Sequence, residues 1–180
     1  MPLKACDQNI RIYGENVYLR PITVFDTDMV LEWRNCERTV KNFFYRKPIT
    51  RDEHLQWLEG KVLKGLVHQF VVCVRETDEP VGVVYLQHYD EEKNLMESGV
   101  FFGLNAPSGK GMGTEAVKLL VYEYGFKVLG LKKMYARVLA TNIASRKLHE
   151  KAGFVQTMYE KNAMEIDGGQ IDIVTYEVEQ

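Results

Sequence analysis

Three glycines that alternate with other residues, past the middle of the chain, constrain the fold more than any other feature. They lie in the segment from Ser108 to Ala116, SGKGMGTEA, between an apolar stretch at 98–104 and a run with helical apolar spacing. The pattern predicts a strand, a glycine loop and a helix. Glycines let a backbone approach an anion closely, and the start of a helix adds unpaired N–H donors and a positive dipole end. The segment therefore predicts a phosphate-binding turn.

The glycine spacing rules out two common phosphate loops. A Walker loop needs Ser or Thr after its Gly-Lys pair, and here Lys110 is followed by Gly111. A dinucleotide fingerprint needs a third glycine three positions after the second, and that position is Thr114. A plain turn before a helix stays open as the alternative, because a glycine triplet alone is a weak motif.

A second motif, NIASRKLHEKAGF at 142–154, follows about thirty residues later. The two motifs in this order resemble the GNAT superfamily of acyl-CoA N-acyltransferases, and the resemblance extends from about Asn16 to Glu179. The family's coenzyme A loop has Arg or Gln, two residues, Gly, one residue, then Gly or Ala. Ser108 stands here where Arg or Gln is usual, which removes a bracing side chain but leaves the backbone donors.

The resemblance implies a mixed α/β fold, with a mostly antiparallel sheet that splits between its fourth and fifth strands and is flanked by helices. The residues alone predict a mixed sheet with a central crossover helix. The predicted order is strand, two helices, three strands, helix, strand, helix and two strands. Asp26 is expected to cap the first helix, and Thr50 with Glu53 forms a capping box for the second. The last two strands are predicted at 154–161 and 171–178.

Length and composition predict one domain over residues 1–180, with 1–12 poorly ordered. The net charge of −2 gives no basic field for nucleic acid, and no apolar run has the length of a membrane span. Cys6, Cys36 and Cys73 have no metal-ligand spacing. We therefore expect free thiols in a cytoplasmic protein, with no metal, nucleic-acid or membrane partner.

By resemblance, acetyl-CoA is the expected cosubstrate, held in the split of the sheet. Asn142 has two compatible interpretations, a helix N-cap and a contact to the pantetheine amide. Gly103 permits close backbone approach, although a bulge explains it equally well. The predicted cofactor-binding residues are Phe102, Gly103, Leu104, Ser108, Gly109, Lys110, Gly111, Met112, Gly113, Thr114, Asn142 and Ser145.

Two side chains are candidates for moving protons in the transfer. Glu97, where family members often have an acidic residue facing the acceptor, is the predicted base, acting directly or through water. The alternative is an exposed carboxylate at a strand end. His149 lies where many members have a Tyr near the sulfur that is taken as general acid. A histidine could supply that acid, act as a base, or only form a hydrogen bond.

The acceptor site is predicted at Trp33, Arg34, Tyr45 and His54, although Trp33 has the alternative of a core position. The sequence in this region resembles the branch of the GNAT superfamily that includes amino-sugar nucleotide, ribosomal-protein and spermidine acetyltransferases. The sequence thus predicts an enzyme that acetylates the primary amine of a small molecule, by preference an amino sugar nucleotide, in a ternary complex. A polyamine, a protein N-terminus or a non-catalytic acyl-CoA-binding module stay open as alternatives. A homodimer is expected from the relatives.

Overall fold

The structure, a computed structural model, describes residues 3–107 and 109–180. In these residues eight strands form one sheet, and five α-helices connect them. The strands are β1 Ile12–Tyr13, β2 Val17–Pro21, β3 His68–Val74, β4 Pro80–Asp90, β5 Leu95–Phe102, β6 Lys133–Leu139, β7 Val155–Ile166 and β8 Gly169–Glu179. The helices are α1 Thr27–Asn35, α2 Glu37–Val40, α3 Arg51–Trp57, α4 Met112–Lys118 and α5 Ile143–Lys151. Helices α3 and α4 continue as π-helical turns, Leu58–Val62 and Leu119–Phe126, and a 3-10 turn, Val24–Asp26, precedes α1.

The sheet runs in the order β1-β2-β3-β4-β5-β6-β8-β7. All neighbouring strands are antiparallel except β5 and β6, which confirms the predicted mixed, mostly antiparallel sheet. The predicted fourth and fifth strands correspond to β5 and β6, because no residue pattern marks the two-residue β1. Strands β5 and β6 pair over three residues each and then diverge, and Glu97 opposite Tyr135 is the last pair. The predicted split therefore opens beyond Glu97.

Helices cover both faces of the sheet. One face packs against α4, its π-helical extension and α5, with Leu120 and Tyr124 fully buried there. The other face packs against α1 through Val30 and against the π-helical turn after α3 through Leu58. Strand β3 lies between these two layers and is buried along nearly its whole length, in agreement with its apolar run FVVCV.

The two predicted helix starts have different outcomes. The capping box of α3 is confirmed, since the Thr50 N–H donates to Glu53 Oε2 at 2.7 Å and the Glu53 N–H donates to Thr50 Oγ1 at 3.3 Å. Asp26 occupies the N-cap position of α1 as predicted, but its side chain makes no capping hydrogen bond there. Its carboxylate turns back to accept from the Thr23 N–H at 2.8 Å and from Arg20 at 2.7 Å. The Arg20 guanidinium and the Thr23 N–H thus occupy the carboxylate oxygens of Asp26 that would otherwise cap α1.

The helix after the glycine loop differs in register from its prediction. A π-helical turn adds a residue to each turn, so the buried face moves along the sequence. Phe126 is therefore buried, whereas Val128, which the apolar spacing of an ordinary helix would place on the buried face, is 56% exposed. No helix in the described part of the chain is long and apolar enough to cross a membrane.

Both ends of the chain are more extensively structured than the sequence predicts. Cys6 and Ile12 are buried in the core, so residues 3–12 are not the poorly ordered segment that we expected. Strands β7 and β8 extend the predicted final hairpin as far as the turn at Asp167 and Gly168.

Candidate active site

A cavity of about 1000 Å³ occupies the split of the sheet. It is lined by the divergent ends of β5 and β6, by α1 and α3, by the loop after α2, and by the starts of α4 and α5. Glu97 lies at the vertex, where the two strands part. The cavity thus brings the predicted cofactor end and the predicted acceptor end together around this carboxylate.

The glycine loop leads to α4 at one mouth of the cavity. Gly109 and Gly111 have φ of +77° and +73°, and a Cβ added at either would meet nothing within 4 Å. The left-handed backbone therefore favours glycine at both positions, although there is space for a side chain. Gly111 is the N-cap of α4, and Met112 and Gly113 line the cavity. Ser108 lies outside the described residues.

The end of β5 and the two residues that follow it lie in different surroundings. Phe102 lines the cavity, but Gly103 and Leu104 do not. The Gly103 N–H donates to the Val81 carbonyl at 2.9 Å, and its own carbonyl accepts from Arg38 at 2.6 Å. Both polar groups of Gly103 are therefore already bonded within the protein.

Trp33 explains why residue 103 is a glycine. A Cβ there would lie 2.6 Å from the Trp33 ring, which packs in the core between the sheet and the first helices. Trp33 does not line the cavity, so the core alternative is the one that the structure supports. Close packing against Trp33 therefore explains why a side chain at residue 103 would not fit.

Helix α5 presents its first turn to the cavity. The Asn142 side-chain oxygen accepts from the Ser145 N–H at 3.1 Å, which confirms the N-cap. Both residues line the cavity. Because the cap uses the oxygen alone, the Asn142 amide NH2 is left to contact a ligand.

His149, one turn further along α5, is buried with its ring against Phe154 and Tyr176. Its Nδ1 lies 2.8 Å from the Ser145 carbonyl, so Nδ1 carries the proton. Nε2 is buried with no hydrogen-bond partner among the described residues and therefore presents a lone pair. Burial lowers the pKa of His149. These contacts favour a hydrogen-bond acceptor over a general acid, since the acid form needs a second proton in a desolvated position.

Glu97 is 5% exposed, so the alternative of an exposed strand-end carboxylate was wrong. Its Oε1 accepts from Arg137 Nε at 3.0 Å. Its Oε2 lies 2.7 Å from His88 Nδ1 and accepts from Gln87 Nε2 at 3.2 Å. Three donors from β4 and β6 therefore hold the carboxylate in place.

The acceptor end of the cavity contains two buried polar side chains with unused hydrogen-bonding groups. Arg34 donates through Nη2 to the Tyr45 carbonyl at 2.7 Å, and its guanidinium lies 4.0 Å from the centre of the Phe43 ring. Arg34 Nη1 and both ring nitrogens of His54 are buried without partners in the described part of the chain. Burial lowers the pKa of both residues. Predicted residues Arg34, Tyr45 and His54 all line the cavity.

The aromatic loop after α2 lies across the split. Phe43 contacts Phe101 of β5 edge-to-face, with ring centres 5.8 Å apart. Phe44 lies 5.3 Å from the Arg137 guanidinium of β6. Arg46, in the same loop, pairs with Asp167 at the tip of the β7–β8 hairpin at 2.8 Å. We call residues 41–49 the roof, because they contact both sides of the split.

The Acetyltransferase (GNAT) domain family matches residues 16–155. This chain belongs to the GNAT family. It is 29% identical to the uncharacterized N-acetyltransferase p20 of Bacillus licheniformis over 170 residues, which is 92% of this chain and 93% of that protein. The chain is therefore an acetyl-CoA-dependent N-acetyltransferase.

Solved GNAT structures have the same fold. The spermidine N-acetyltransferase of Vibrio cholerae, in complex with CoA and spermine, superposes with a TM-score of 0.82 at 21% identity, over 93% of this chain and 97% of that one. The ribosomal L7/L12 α-N-protein acetyltransferase RimL, in complex with CoA, superposes with a TM-score of 0.81 at 13% identity, over 94% and 98%. Acetyl-CoA is the cosubstrate of this GNAT fold.

The residues of this chain fit that cosubstrate. Beyond Glu97, β5 pairs with β4 alone, so its other edge faces the split with unused backbone groups. The buried Ser98 hydroxyl has no partner among the described residues, and neither has His149 Nε2. A polar arm lying in the split would satisfy both.

Sequence reasoning missed four side chains of this GNAT site: Gln87, His88 and Arg137 around Glu97, and Arg38 against Gly103. Gln87 and His88 are adjacent in a strand, so alternation predicts opposite faces. A bulge in β4 between Gln87 and Asp90 breaks that alternation, and no local sequence signal marks it.

Proposed function

We propose that this enzyme acetylates the primary amine of a small, oxygen-rich acceptor, and that the acceptor is an amino sugar nucleotide. The observation that carries this proposal is the pair of buried, unpartnered groups at the acceptor end, Arg34 Nη1 and the His54 ring. Buried donors without partners are costly, and a ligand with hydroxyl or phosphoryl oxygens would satisfy them. Trp57 and Tyr85 line the same end and offer aromatic surface to a sugar.

The charges around the cavity argue against a polyamine acceptor. Arg34, Arg38 and Arg137 line it, whereas Glu53 and Glu97 are the carboxylates among its described lining residues. Both carboxylates are already engaged, by the α3 cap and by the Arg137 cluster. A polycation would therefore meet three guanidiniums with no free carboxylate to balance its charge.

The roof supports a small acceptor over a protein N-terminus. A protein segment needs an open groove, whereas Phe43 and Phe44 lie over the two sides of the split. The pairing of Arg46 with Asp167 joins this roof to the β7–β8 hairpin. An amine carried on a compact molecule fits such an enclosed site better than a chain terminus does.

The other end of the cavity, at the starts of α4 and α5, is the proposed site for acetyl-CoA. We propose that N–H groups between residues 109 and 114, with the positive end of α4, hold the diphosphate. Asn142 and Ser145 contact the pantetheine arm. Bound acetyl-CoA supplies a thioester that is already activated for attack by an amine. Glu97 governs removal of the amine proton, and His149 accepts a hydrogen bond beside the sulfur.

The thiols and the edge strand β7 bear on the expected location and assembly of the protein. Cys6, Cys36 and Cys73 are free thiols, which agrees with the expected cytoplasmic location. Strand β7 is the last strand of the sheet order, and Val155, Met158 and Tyr159 on it are exposed. These side chains are available for the expected homodimer contact.

The proposed function is tested by thiol release from acetyl-CoA across matched amine panels. We expect turnover with uridine-diphosphate amino sugars, and a kcat/KM at least about tenfold lower with the free amino sugars, which lack the phosphates. Spermidine or an N-terminal peptide as the best acceptor would contradict the proposed substrate. Tight CoA binding without turnover of any amine would identify an acyl-CoA-binding module.

Arg34 provides a separate test of the acceptor end. We expect Arg34→Lys to raise the acceptor KM about 10- to 100-fold, because one charge-assisted hydrogen bond contributes about 1.5–3 kcal/mol. The KM for acetyl-CoA should stay within about twofold, since Arg34 lies at the other end of the cavity. Steady-state kinetics with each substrate varied separately measures both values. An equal rise in the two KM values would contradict the placement.

A further inference from the structure

We propose that His88 accepts the proton of the acceptor amine, and that Glu97 acts as the positioning residue that orients its ring. This inference rests on the proposed acetyl transfer and refines how the amine is deprotonated there. It moves the proton-accepting atom from the Glu97 carboxylate to His88 Nε2.

The contacts of Glu97 make it a better anchor than a base. Each of its oxygens already accepts, from Arg137 on one side and from His88 and Gln87 on the other. A proton placed on this carboxylate would replace one of those donors and neutralise the partner of a guanidinium. The anion is therefore stabilised where it is, 2.7 Å from the His88 ring.

That contact fixes the tautomer of His88. Because the carboxylate can only accept, Nδ1 of the ring must donate, and Nε2 of the neutral ring then presents its lone pair. His88 lines the cavity, and its side chain is 60% exposed. Nε2 can therefore take a proton from the acceptor and release it to water. The carboxylate behind the ring stabilises the imidazolium that forms.

The backbone is built to place this ring. His88 has a φ of 54°, in the left-handed region, and the four other non-glycine residues with positive φ in the described part of the chain are Asn or Asp. The bulge between Gln87 and Asp90 sends two consecutive side chains to the same Glu97 oxygen. Bulges beside active sites re-aim side chains in this way, and the backbone strain is retained where it serves the site.

His149, the other histidine near the vertex, is less suited to accept a proton. Its ring is buried between Phe154 and Tyr176, and no carboxylate among the described residues contacts it to stabilise a cation. Burial lowers its pKa, which favours the uncharged ring. The two histidines thus have different tasks, a hydrogen-bond acceptor at His149 and a proton acceptor at His88.

The proton balance is complete with these groups. The ammonium of the acceptor loses one proton to His88 Nε2, and the freed nitrogen lone pair forms a C–N bond to the acetyl carbon. The C–S bond breaks and its electron pair goes to sulfur, which receives a second proton from the same nitrogen. The third proton stays on the amide, and His88 passes its proton to water. Acetylated amine, free thiol and one proton are the products.

Two variants of His88 test this assignment. His88→Gly keeps the positive φ without strain and leaves room for a small molecule, and His88→Asn keeps it with a polar side chain. We expect both to lower kcat at least about 100-fold, with the affinity for CoA within about twofold of the parent. Added imidazole should raise the kcat of His88→Gly at least about tenfold and leave the kcat of the parent unchanged. A kcat within about threefold of the parent, or a loss of kcat without rescue, would overturn the proposal.

The ring itself provides a readout that does not depend on turnover. Nitrogen NMR of the cofactor-free protein should show the His88 tautomer with the proton on Nδ1, and Glu97→Gln should shift the ring towards the other tautomer. A parent ring with its proton on Nε2 would overturn the assignment. Failure of the parent to acetylate any amine would remove the proposed function as well, whereas an active parent with active His88 variants removes the role of His88 alone.

Discussion

Gly111→Asp is expected to weaken CoA binding at least about 100-fold, which corresponds to about 2.7 kcal/mol. Gly111 precedes α4 at the mouth of the cavity, and an added Cβ would meet nothing within 4 Å. The new carboxylate would therefore fit sterically but face the diphosphate that we place on this loop. Repulsion between unit charges a few ångströms apart near a protein surface reaches several kcal/mol. Isothermal titration with CoA measures the loss.

Two matched variants separate charge from backbone strain. Gly111→Asn has the same shape and tolerates the left-handed backbone equally well, but carries no charge. It should lose less than about tenfold in affinity. Gly130→Asp places the same residue at an exposed glycine with a φ of +67° and open space around it, and CoA affinity should not change. Equal losses for Gly111→Asp and Gly111→Asn would contradict a charge effect and the loop assignment with it.

Acid is expected to lower the free energy of unfolding by about 3 kcal/mol through His68 alone. His68 is fully buried, its Nδ1 lies 2.7 Å from the Tyr124 hydroxyl, and its Nε2 has no partner in the described residues. Burial lowers the pKa of His68 to about 4, against about 6.5 in the unfolded chain. The two pKa values differ by about 2.5, and a difference of one in pKa corresponds to about 1.4 kcal/mol. Their product is the expected loss in the free energy of unfolding.

The sign follows from which state binds the proton. At neutral pH the ring is uncharged in both states, so His68 contributes no pH dependence there. Between pH values of about 6.5 and 4 the unfolded chain binds a proton that the folded chain excludes, and stability falls as the pH falls. The lowered pKa values of His54 and His149 act in the same direction.

Urea unfolding at several pH values, with parent and His68→Gln side by side, measures this dependence. Glutamine keeps a hydrogen-bonding side chain beside Tyr124 but does not titrate. His68→Gln should have a lower free energy of unfolding than the parent at neutral pH. Between pH values of about 6.5 and 4, its free energy of unfolding should fall by about 3 kcal/mol less than that of the parent. Parallel curves for the two proteins would show that His68 does not cause the loss.

Features encoded by neighbouring residues could be predicted from the sequence. The strand, glycine loop and helix around Gly111, the Asn142 cap and the α3 capping box each depend on residues within a few positions of one another. Their chemistry is local, so the order and type of the longer elements could be predicted, whereas the short β1 and α2 were missed. The family resemblance, and no local pattern, implied the position of the split.

Features that depend on distant packing could not be predicted in the same way. The burial of Glu97 requires β4 and β6 to meet around it, and His88 reaches it only through a bulge. The π-helical turns exposed Val128, because apolar spacing cannot distinguish them from an ordinary helix. Trp33 was assigned to the acceptor site together with Arg34 through the family resemblance, although its ring packs in the core whereas Arg34 lines the cavity.

We expect the attachment of the roof to influence how an acetylated product leaves. Hydrogen bonds from Arg34 and Asn35 hold residues 41–49 to α1. The contact of the roof with the final hairpin is the pairing of Arg46 with Asp167, whose side chain is 69% exposed. An ion pair so accessible to water contributes at most about 1 kcal/mol. Thermal fluctuations therefore suffice to release this tether, whereas the buried Glu97 keeps its three hydrogen-bond donors. We therefore expect small molecules to be exchanged while the groups that we propose to handle the proton keep their positions.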